Sequence, residues 1–547
     1  MDSKSLQSDP IPAVSSASVN KETATRRIPE SRLGFLVPSV SDLVFIVLLA
    51  ALSCGAMGTR LLNDAGIGWH IRNGERILHT HSIARTDFFS STMDGRLWYA
   101  WEWLYDVMIA AIHSRLGLNG VVFFTAVVIA LTFSLVLQHL LRRGASLLIT
   151  AAMLVLAIGA SMIHVIARPH VLSWLLVVIF YKLLDEDQNR PLVSRRVLFW
   201  LPLLMLFWAN LHGGFLLGFV LMVITLVGEW CKNLLFLSSR ASASWVKHVA
   251  TAAGMALIAS FANPYGYKLY VHIFEYLSNP FLMNHISEFL SPDFHSPAAK
   301  CFSLLLLITL CTLAISREKL RPTQLLIVLF AVFTGLQSSR NLPVSSILLS
   351  LVVVPLLSKS LTDVGYNPPA TSRLHSFLTS TNRLGSRMNN LDASFRGRIW
   401  AVLAVFIGIW VCTHDGRLGS THIMKAHFDE TRFPVQAAAA IVKKNIREPV
   451  FCPDLWGGYL IYALYPRIKV VADDRHDLYG EEFFKDYLKV IRVESGWEEV
   501  LSAWQANYVL VPTDSPVAAA LKQKASWTVV HQDTTSVLLH RGALLSK

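Results

Sequence analysis

Long apolar runs alternate with short basic loops through the first three quarters of the chain. The runs lie near 38–60, 119–141, 146–165, 170–184, 197–211, 213–231, 247–263, 298–316, 322–338, 342–358 and 398–413. A helix that crosses a bilayer needs about 20 mostly apolar residues, so the pattern predicts a polytopic domain of about eleven transmembrane helices over 38–413. The fifth and last runs are short. The pair between 197 and 231 must break at Asn210-Leu211-His212-Gly213-Gly214, which is polar and poor in helix formers. One further segment, Trp101–Arg115, is apolar but contains Glu102 and Asp106. It predicts an amphipathic helix at the membrane surface, anchored by Trp98, Trp101, Trp103 and Tyr105. Residues 1–37 are polar and rich in Ser, and predict a disordered cytoplasmic tail.

After 413 the pattern changes to that of a soluble α/β domain over 414–547. Helices are predicted at Val435–Asn445, Gly457–Leu464, 481–492, 496–505 and 515–524. Strands are predicted at Val450–Cys452, Lys469–Ala472 and Tyr508–Val511, with a terminal hairpin of 527–532 and 536–540. The fold class expected is therefore mainly α: a polytopic helical membrane domain followed by a small C-terminal α/β domain.

Lys and Arg give the orientation. With the amino terminus in the cytoplasm, the inner loops hold Arg142 and Arg143; Arg190, Arg195 and Arg196; Lys232, Arg240 and Lys247; Arg317, Lys319 and Arg321; and the basic stretch from Lys359 to Arg398. Beyond the long first loop (61–118), the outer loops hold Arg168, Lys268 and Arg340. This asymmetry predicts a multi-pass protein of the inner (plasma) membrane with an extracytoplasmic C-terminal domain.

Composition agrees with that picture. Of 547 residues, 53% are hydrophobic and 16% charged, against about 25% charged in soluble proteins. The net charge of +12 sits at the ends of apolar runs rather than on one face, so it argues for lipid and against nucleic acid. The six cysteines show no CxxC spacing and give no support to zinc or thiol redox chemistry.

The candidate chemistry gathers at the ends predicted to face outward. The first loop supplies Asp64, Trp69, His70, Asp87 and Glu102; later turns supply His164, Arg168 and His170, then Asn210 and His212, then Asn263 and Tyr265, then Arg340 and Asn341. Ionisable groups at helix ends in a membrane are costly and mark cavities. Asp64 stands out because it follows the first span at once with no Lys beside it. In the C-terminal domain, Asp473-Asp474-Arg475 follows a predicted strand end. That turn reads either as a salt-bridged dock onto the membrane domain or as an acceptor-recognition site. Gly457-Gly458 lacks the spacing of a phosphate loop.

The stretch Asp64-Ala-Gly-Ile-Gly-Trp69-His70, the link Arg85-Thr-Asp87-Phe-Phe-Ser90 and the segment Trp101-Glu102-Trp103-Leu104 together resemble a family of bacterial polytopic proteins related to the GT-C glycosyltransferases. The C-terminal Asp454-Leu-Trp456-Gly457-Gly458-Tyr459 and Asp473-Asp474-Arg475 resemble the outer domain of the same group. The resemblance covers roughly residues 60–105 well and the helix layout more loosely. The chain departs from a paired Asp-x-Asp or Glu-x-Asp motif near Asp64.

The resemblance implies transfer of a sugar from a polyprenyl-phosphate donor to an acceptor, saccharide or protein, on the outer side of the membrane. Such chemistry needs a carboxylate base, cations on the leaving phosphate and a groove for lipid. The expected base is Asp64, with Asp87 or Glu102 in reserve. Arg168 and Arg340 would hold phosphate. Trp69, His70, His170, Asn210, His212 and Asn341 would contact substrate. The residues neither specify nor exclude a divalent metal. Two other classes use similar materials: a transporter or flippase of a lipid-linked or polar solute, and a non-catalytic envelope assembly protein. No internal repeat of the transporter kind is visible.

Overall fold

A computed structural model describes residues 36–188, 196–234, 243–366, 373–393, 395 and 397–542. The predicted tail, 1–37, lies almost entirely outside the described residues.

A helix occupies most of each apolar run. Among the described residues, five helical stretches are long and apolar enough to cross a bilayer: Trp103–Arg142, Leu147–His164, Gly213–Leu234, Pro297–Ile315 and Ser339–Leu361. Shorter apolar helices are Val40–Ser53, Arg196–Leu211, Pro322–Gln337 and Ile399–Thr413. The protein is a multi-pass membrane protein. Its helix starts follow local chemistry. Ser39 and Asp42 form a capping box before Val40, and Pro297 and Pro322 occupy first-turn positions where no N–H is needed.

The helices are not equivalent. The apolar windows of Trp103–Arg142 and Ser339–Leu361 are each 78% buried, whereas that of Pro297–Ile315 is 33% buried. The first two form the centre and the third lies at the rim. Central helices carry hydroxyls that bond back to their own backbone. Thr125 donates to the Val121 carbonyl at 2.9 Å and Ser350 to that of Ser346 at 2.8 Å, so no polar group is left facing apolar neighbours at these positions.

The segment from Trp103 is helical as expected and runs on toward Arg142. The backbone breaks at Gly117, whose φ of +59° suits a residue without Cβ. A second helix of the first loop, Gly66–Thr80, packs on it. It also crosses helix Asp454–Leu464 of the C-terminal region. A Cβ on Gly68 would collide with the Gly458 carbonyl oxygen, and one on Gly458 would collide with that of Ala65. The Trp-Gly-Gly sequence thus permits helix-on-helix contact.

The C-terminal region holds a two-residue ladder of β1 (Arg417–Leu418) with β2 (Thr421–His422) and a four-stranded sheet. The sheet contains β3 (Val450–Phe451), β4 (Tyr508–Pro512), β5 (Trp527–Gln532) and β6 (Ser536–Arg541), in the order β3-β4-β6-β5. β3 runs parallel to β4, and the β4–β6 and β6–β5 pairs are antiparallel. The terminal hairpin appears where alternation predicted it.

The expected strand Lys469–Ala472 differs: it is an isolated bridge. Val470 pairs with Val450 on one side and with Ser90 of the first loop on the other. The Ser91 N–H donates to the Val470 carbonyl at 2.8 Å, and the Val470 N–H donates to that of Phe89 at 3.2 Å. The first loop therefore covers the sheet edge and removes its unpaired groups. Loop and C-terminal sheet are tied through the backbone.

Candidate active site

Where the first loop meets the C-terminal region, a cavity of about 960 Å³ opens. Asp64, Trp69, His70, Glu102, Arg168, His170, His212, Arg340, Asp474 and Arg475 all line it. These residues come from widely separated parts of the chain.

Asp64 immediately precedes helix Gly66–Thr80. Its Oδ1 accepts the Gly66 N–H at 2.8 Å and the Arg168 Nε–H at 2.7 Å. Arg168 also pairs with Asp474 Oδ2, and Trp69 Nε1 donates to Asp474 Oδ1 at 3.0 Å. Arg168 thereby bridges a first-loop carboxylate and a C-terminal one. Burial works against its charge, but Asp64 and Glu288 overcome that and raise its pKa.

Glu102 lies deeper. Its Oε2 is 3.7 Å from His70 Nε2 and its Oε1 is 3.7 Å from His212 Nε2. The far side of His70 meets Asp106 Oδ1 at 2.6 Å, and Asn73 Nδ2 donates to Asp106 Oδ2, also at 2.6 Å. Burial pushes the Glu102 carboxyl up to about 7, against the pull of Arg168 and Arg340. Burial also drives the His70 imidazole well below its ordinary value, helped by Arg168 and His212. A carboxyl poised near neutrality beside two imidazoles can exchange a proton at working pH.

Arg340 reaches the cavity between helices Pro322–Gln337 and Leu342–Tyr366. Its Nη1 donates to Glu288 Oε1 at 2.7 Å. Burial raises the Glu288 pKa, but Arg340 and Arg168, with His164 and His170, prevail and bring it down to about 2. The Glu288 carboxylate, ionised at neutral pH, pairs with Arg340. His170 Nε2 donates to the His164 carbonyl at 2.8 Å, so its ring is fixed by the adjoining turn.

Four expected residues sit elsewhere. Asp87 is 1% exposed, and its Oδ1 accepts from Arg475 Nη1 at 2.7 Å. Its Oδ2 accepts the Ser90 N–H at 2.9 Å and the Ser90 hydroxyl at 2.5 Å. Burial raises the Asp87 pKa, but Arg475 and Ser90 outweigh it and keep the carboxyl below its usual range. With those bonds made, it is poorly suited to collect a proton. Asp473 grips Arg475 through both oxygens and accepts the Tyr479 hydroxyl at 2.9 Å. Asn210 accepts from Trp103 Nε1 at 2.7 Å and donates to the Ala262 carbonyl at 3.0 Å, joining two turns. Asn341 donates to the Thr334 carbonyl at 3.3 Å, at the end of the preceding helix. Arg475 lines the cavity but spends its guanidinium on Asp87 and Asp473, with the Trp98 ring 4.6 Å away.

The sequence reading passed over several lining residues. Glu288, Tyr276 and His285 come from 264–297, a long polar connection between two apolar runs whose length was itself a signal. Asp454, from the motif that resembles the outer domain, and His476, next to the Asp473-Asp474-Arg475 turn, line the cavity as well, 2.9 Å apart. Burial lowers the His476 pKa, but its bond to Asp454 prevails and raises it. Among the described residues no group of three His, Cys, Asp or Glu is arranged to hold a metal ion.

No family model and no curated protein sequence matches the chain. Solved structures do. The archaeal oligosaccharyltransferase AglB from Archaeoglobus fulgidus, solved with an inhibitory peptide and a dolichol-phosphate, aligns at a TM-score of 0.53 and 12% identity over 86% of this chain and 69% of its own. The same organism's enzyme tethered to an acceptor peptide gives 0.52 and 13% over the same shares. The chain has a GT-C glycosyltransferase fold. ArnT from Cupriavidus metallidurans, solved with undecaprenyl phosphate, aligns over 93% of this chain and 98% of its own at 0.49 and 14% identity. At such identities the GT-C likeness concerns the fold. What this chain does must be argued from its cavity.

Proposed function

We propose that the protein transfers a sugar from a polyprenyl-phosphate donor to an acceptor hydroxyl, saccharide or protein, on the extracytoplasmic side of the membrane. The observation that carries this reading is the convergence of Asp64, Glu102, Arg168 and Arg340 on one cavity between the membrane helices and the C-terminal domain. Dolichol-phosphate, present in the AglB structure of similar fold, supports a polyprenyl-phosphate donor class. The asymmetry of Lys and Arg supports the outward orientation, with residues 414–547 as an extracytoplasmic domain.

The step breaks the bond from the anomeric carbon to the phosphate oxygen, and the phosphate leaves with the electron pair. The acceptor oxygen forms the new bond to that carbon and gives its proton to a carboxylate. Glu102 suits the base better than Asp64, because Asp64 is tied to Arg168 while Glu102 is held near neutrality. Asp64 then orients Arg168. Arg168 and Arg340 balance the charge that grows on the leaving phosphate.

The test uses purified full-length protein in nanodiscs, given polyprenyl phosphates that carry radiolabelled hexoses or pentoses. We expect label to move to an acceptor from an envelope extract with release of polyprenyl phosphate, and Arg168→Gln or Arg340→Gln to slow it by about 10–100-fold. Unchanged rates in both variants would remove the assignment of these arginines to the phosphate.

A further inference from the structure

His212 belongs to the break between two helices, and its ring is held from behind. Its Nδ1 accepts the Gly214 backbone N–H at 3.0 Å and lies 2.8 Å from Ser173 Oγ. Ser173 Oγ itself accepts the indole N–H of Trp208 at 2.8 Å, which leaves the Ser173 hydrogen for His212. Both partners of Nδ1 are therefore donors. A ring nitrogen that accepts a hydrogen bond carries no proton, so the neutral imidazole bears its hydrogen on Nε2. Gly214 is part of the clamp, because a Cβ there would come within 2.7 Å of both His212 Nδ1 and Ser173 Oγ. Burial, with Arg340, His170 and Arg168 nearby, keeps the ring well below its ordinary pKa and hence neutral.

The hydrogen-bearing Nε2 turns toward Glu102 and Arg340. It lies 3.4 Å from Arg340 Nη2, another donor. Arg340 Nη1 is already engaged by Glu288. Glu102 Oε1, at 3.7 Å from Nε2, is beyond hydrogen-bond reach. Two donors thus stand side by side, and neither can accept from the other. An anionic oxygen between them would satisfy both.

Building on the proposed transfer reaction, we infer that His212 Nε2–H and Arg340 Nη2–H form a two-pronged site for an anionic phosphate oxygen, with Ser173, Trp208 and Gly214 as positioning residues that fix the His212 tautomer. His212 is then a donor throughout the cycle. It takes no proton from the acceptor, which leaves that task to Glu102. The phosphate belongs either to a lipid headgroup or to free phosphate; the chemistry recognised is the same.

The first experiment reads the tautomer directly. Full-length protein labelled with ¹⁵N-histidine is recorded in detergent micelles from pH 6 to 8, with His212 assigned by the signal lost in His212→Gln. We expect a protonated Nε2 and an unprotonated Nδ1 across the range; a protonated Nδ1 with a bare Nε2 overturns the inference. The second experiment titrates undecaprenyl phosphate and, separately, inorganic phosphate into wild type, His212→Gln and His212→Ala. The Gln amide supplies a donor without a titratable group. His212→Gln should bind within about threefold of wild type, and His212→Ala about tenfold or more weakly. A loss seen with both probes assigns the site to phosphate from either source, and a loss confined to undecaprenyl phosphate assigns it to the lipid headgroup. His212→Ala binding both probes like wild type overturns the site. If both experiments succeed while no sugar transfer is found, the phosphate site stands and the transfer reading falls. A reversed tautomer in an active transferase defeats this inference alone.

Discussion

Two arginines at the same cavity make opposite uses of one functional group. Arg475 is 2% exposed and saturated: Asp473 takes Nε and Nη2, Asp87 takes Nη1, and the Phe89 and Trp98 rings flank it. Arg340 is more open, gives Nη1 to Glu288, and directs Nη2 at another donor. The first arrangement engages every guanidinium nitrogen and fastens the first loop to the C-terminal region. The second leaves room for an additional acceptor. Buried polar groups are normally satisfied, and Arg475 obeys that rule within the protein, whereas Arg340, about a third exposed, keeps Nη2 available to a ligand oxygen. Asp87 and Glu102 repeat the contrast. One is locked as an anion by Arg475 and Ser90, and the other is held at about 7 by burial.

The largest expected effect comes from breaking the saturated side. Arg475→Met leaves Asp87 and Asp473 as buried carboxylates without their cation, which costs about 3–5 kcal/mol. A fluorescence melt in detergent should show a large drop in the transition, with little folded protein recovered. Asp87→Asn is milder, because Asp473 still holds Arg475. About 1–3 kcal/mol should be lost, while the folded fraction keeps its transfer rate. Retention of the wild-type melt in both variants would end the architectural reading of this cluster.

On the open side the effects should appear in function rather than stability. As pH falls below about 7, Glu102 takes up a proton and ceases to accept one. The rate should then drop about tenfold per pH unit and level off above that point. A profile flat from pH 5 to 8 would remove Glu102 as the base. Asp64→Asn should be smaller still, about tenfold, since it loosens Arg168 while Asp474 retains it.

The sequence made the helices legible because a span must be apolar over its whole length and loops must carry the charge. It also led to ten of the residues that line the cavity, because ionisable residues at helix ends are costly unless they share an aqueous space. What stayed hidden was pairing. Nothing in the spacing of Asp87 and Arg475 announces an ion pair between positions so far apart in the chain. Asn210 and Asn341 looked like ligands by residue type, yet their groups are spent on Trp103 and neighbouring carbonyls. Sequence alone does not single out Glu102 as the base, because its raised pKa arises from burial beside His70 and His212, which only tertiary structure creates. The strand expected at Lys469–Ala472 is reduced to bridges at Val470, one to Val450 and one to Ser90 of the first loop. Propensity cannot foresee a partner so distant in the chain.

The most direct test compares sugar transfer by Glu102→Gln with that by Asp87→Asn, each normalised to folded protein. The account predicts a fall of about 10²–10⁴-fold for Glu102→Gln with an unchanged melt, and a near wild-type rate for Asp87→Asn with a lowered melt. A wild-type rate in Glu102→Gln, with transfer lost in well-folded Asp87→Asn, would contradict it.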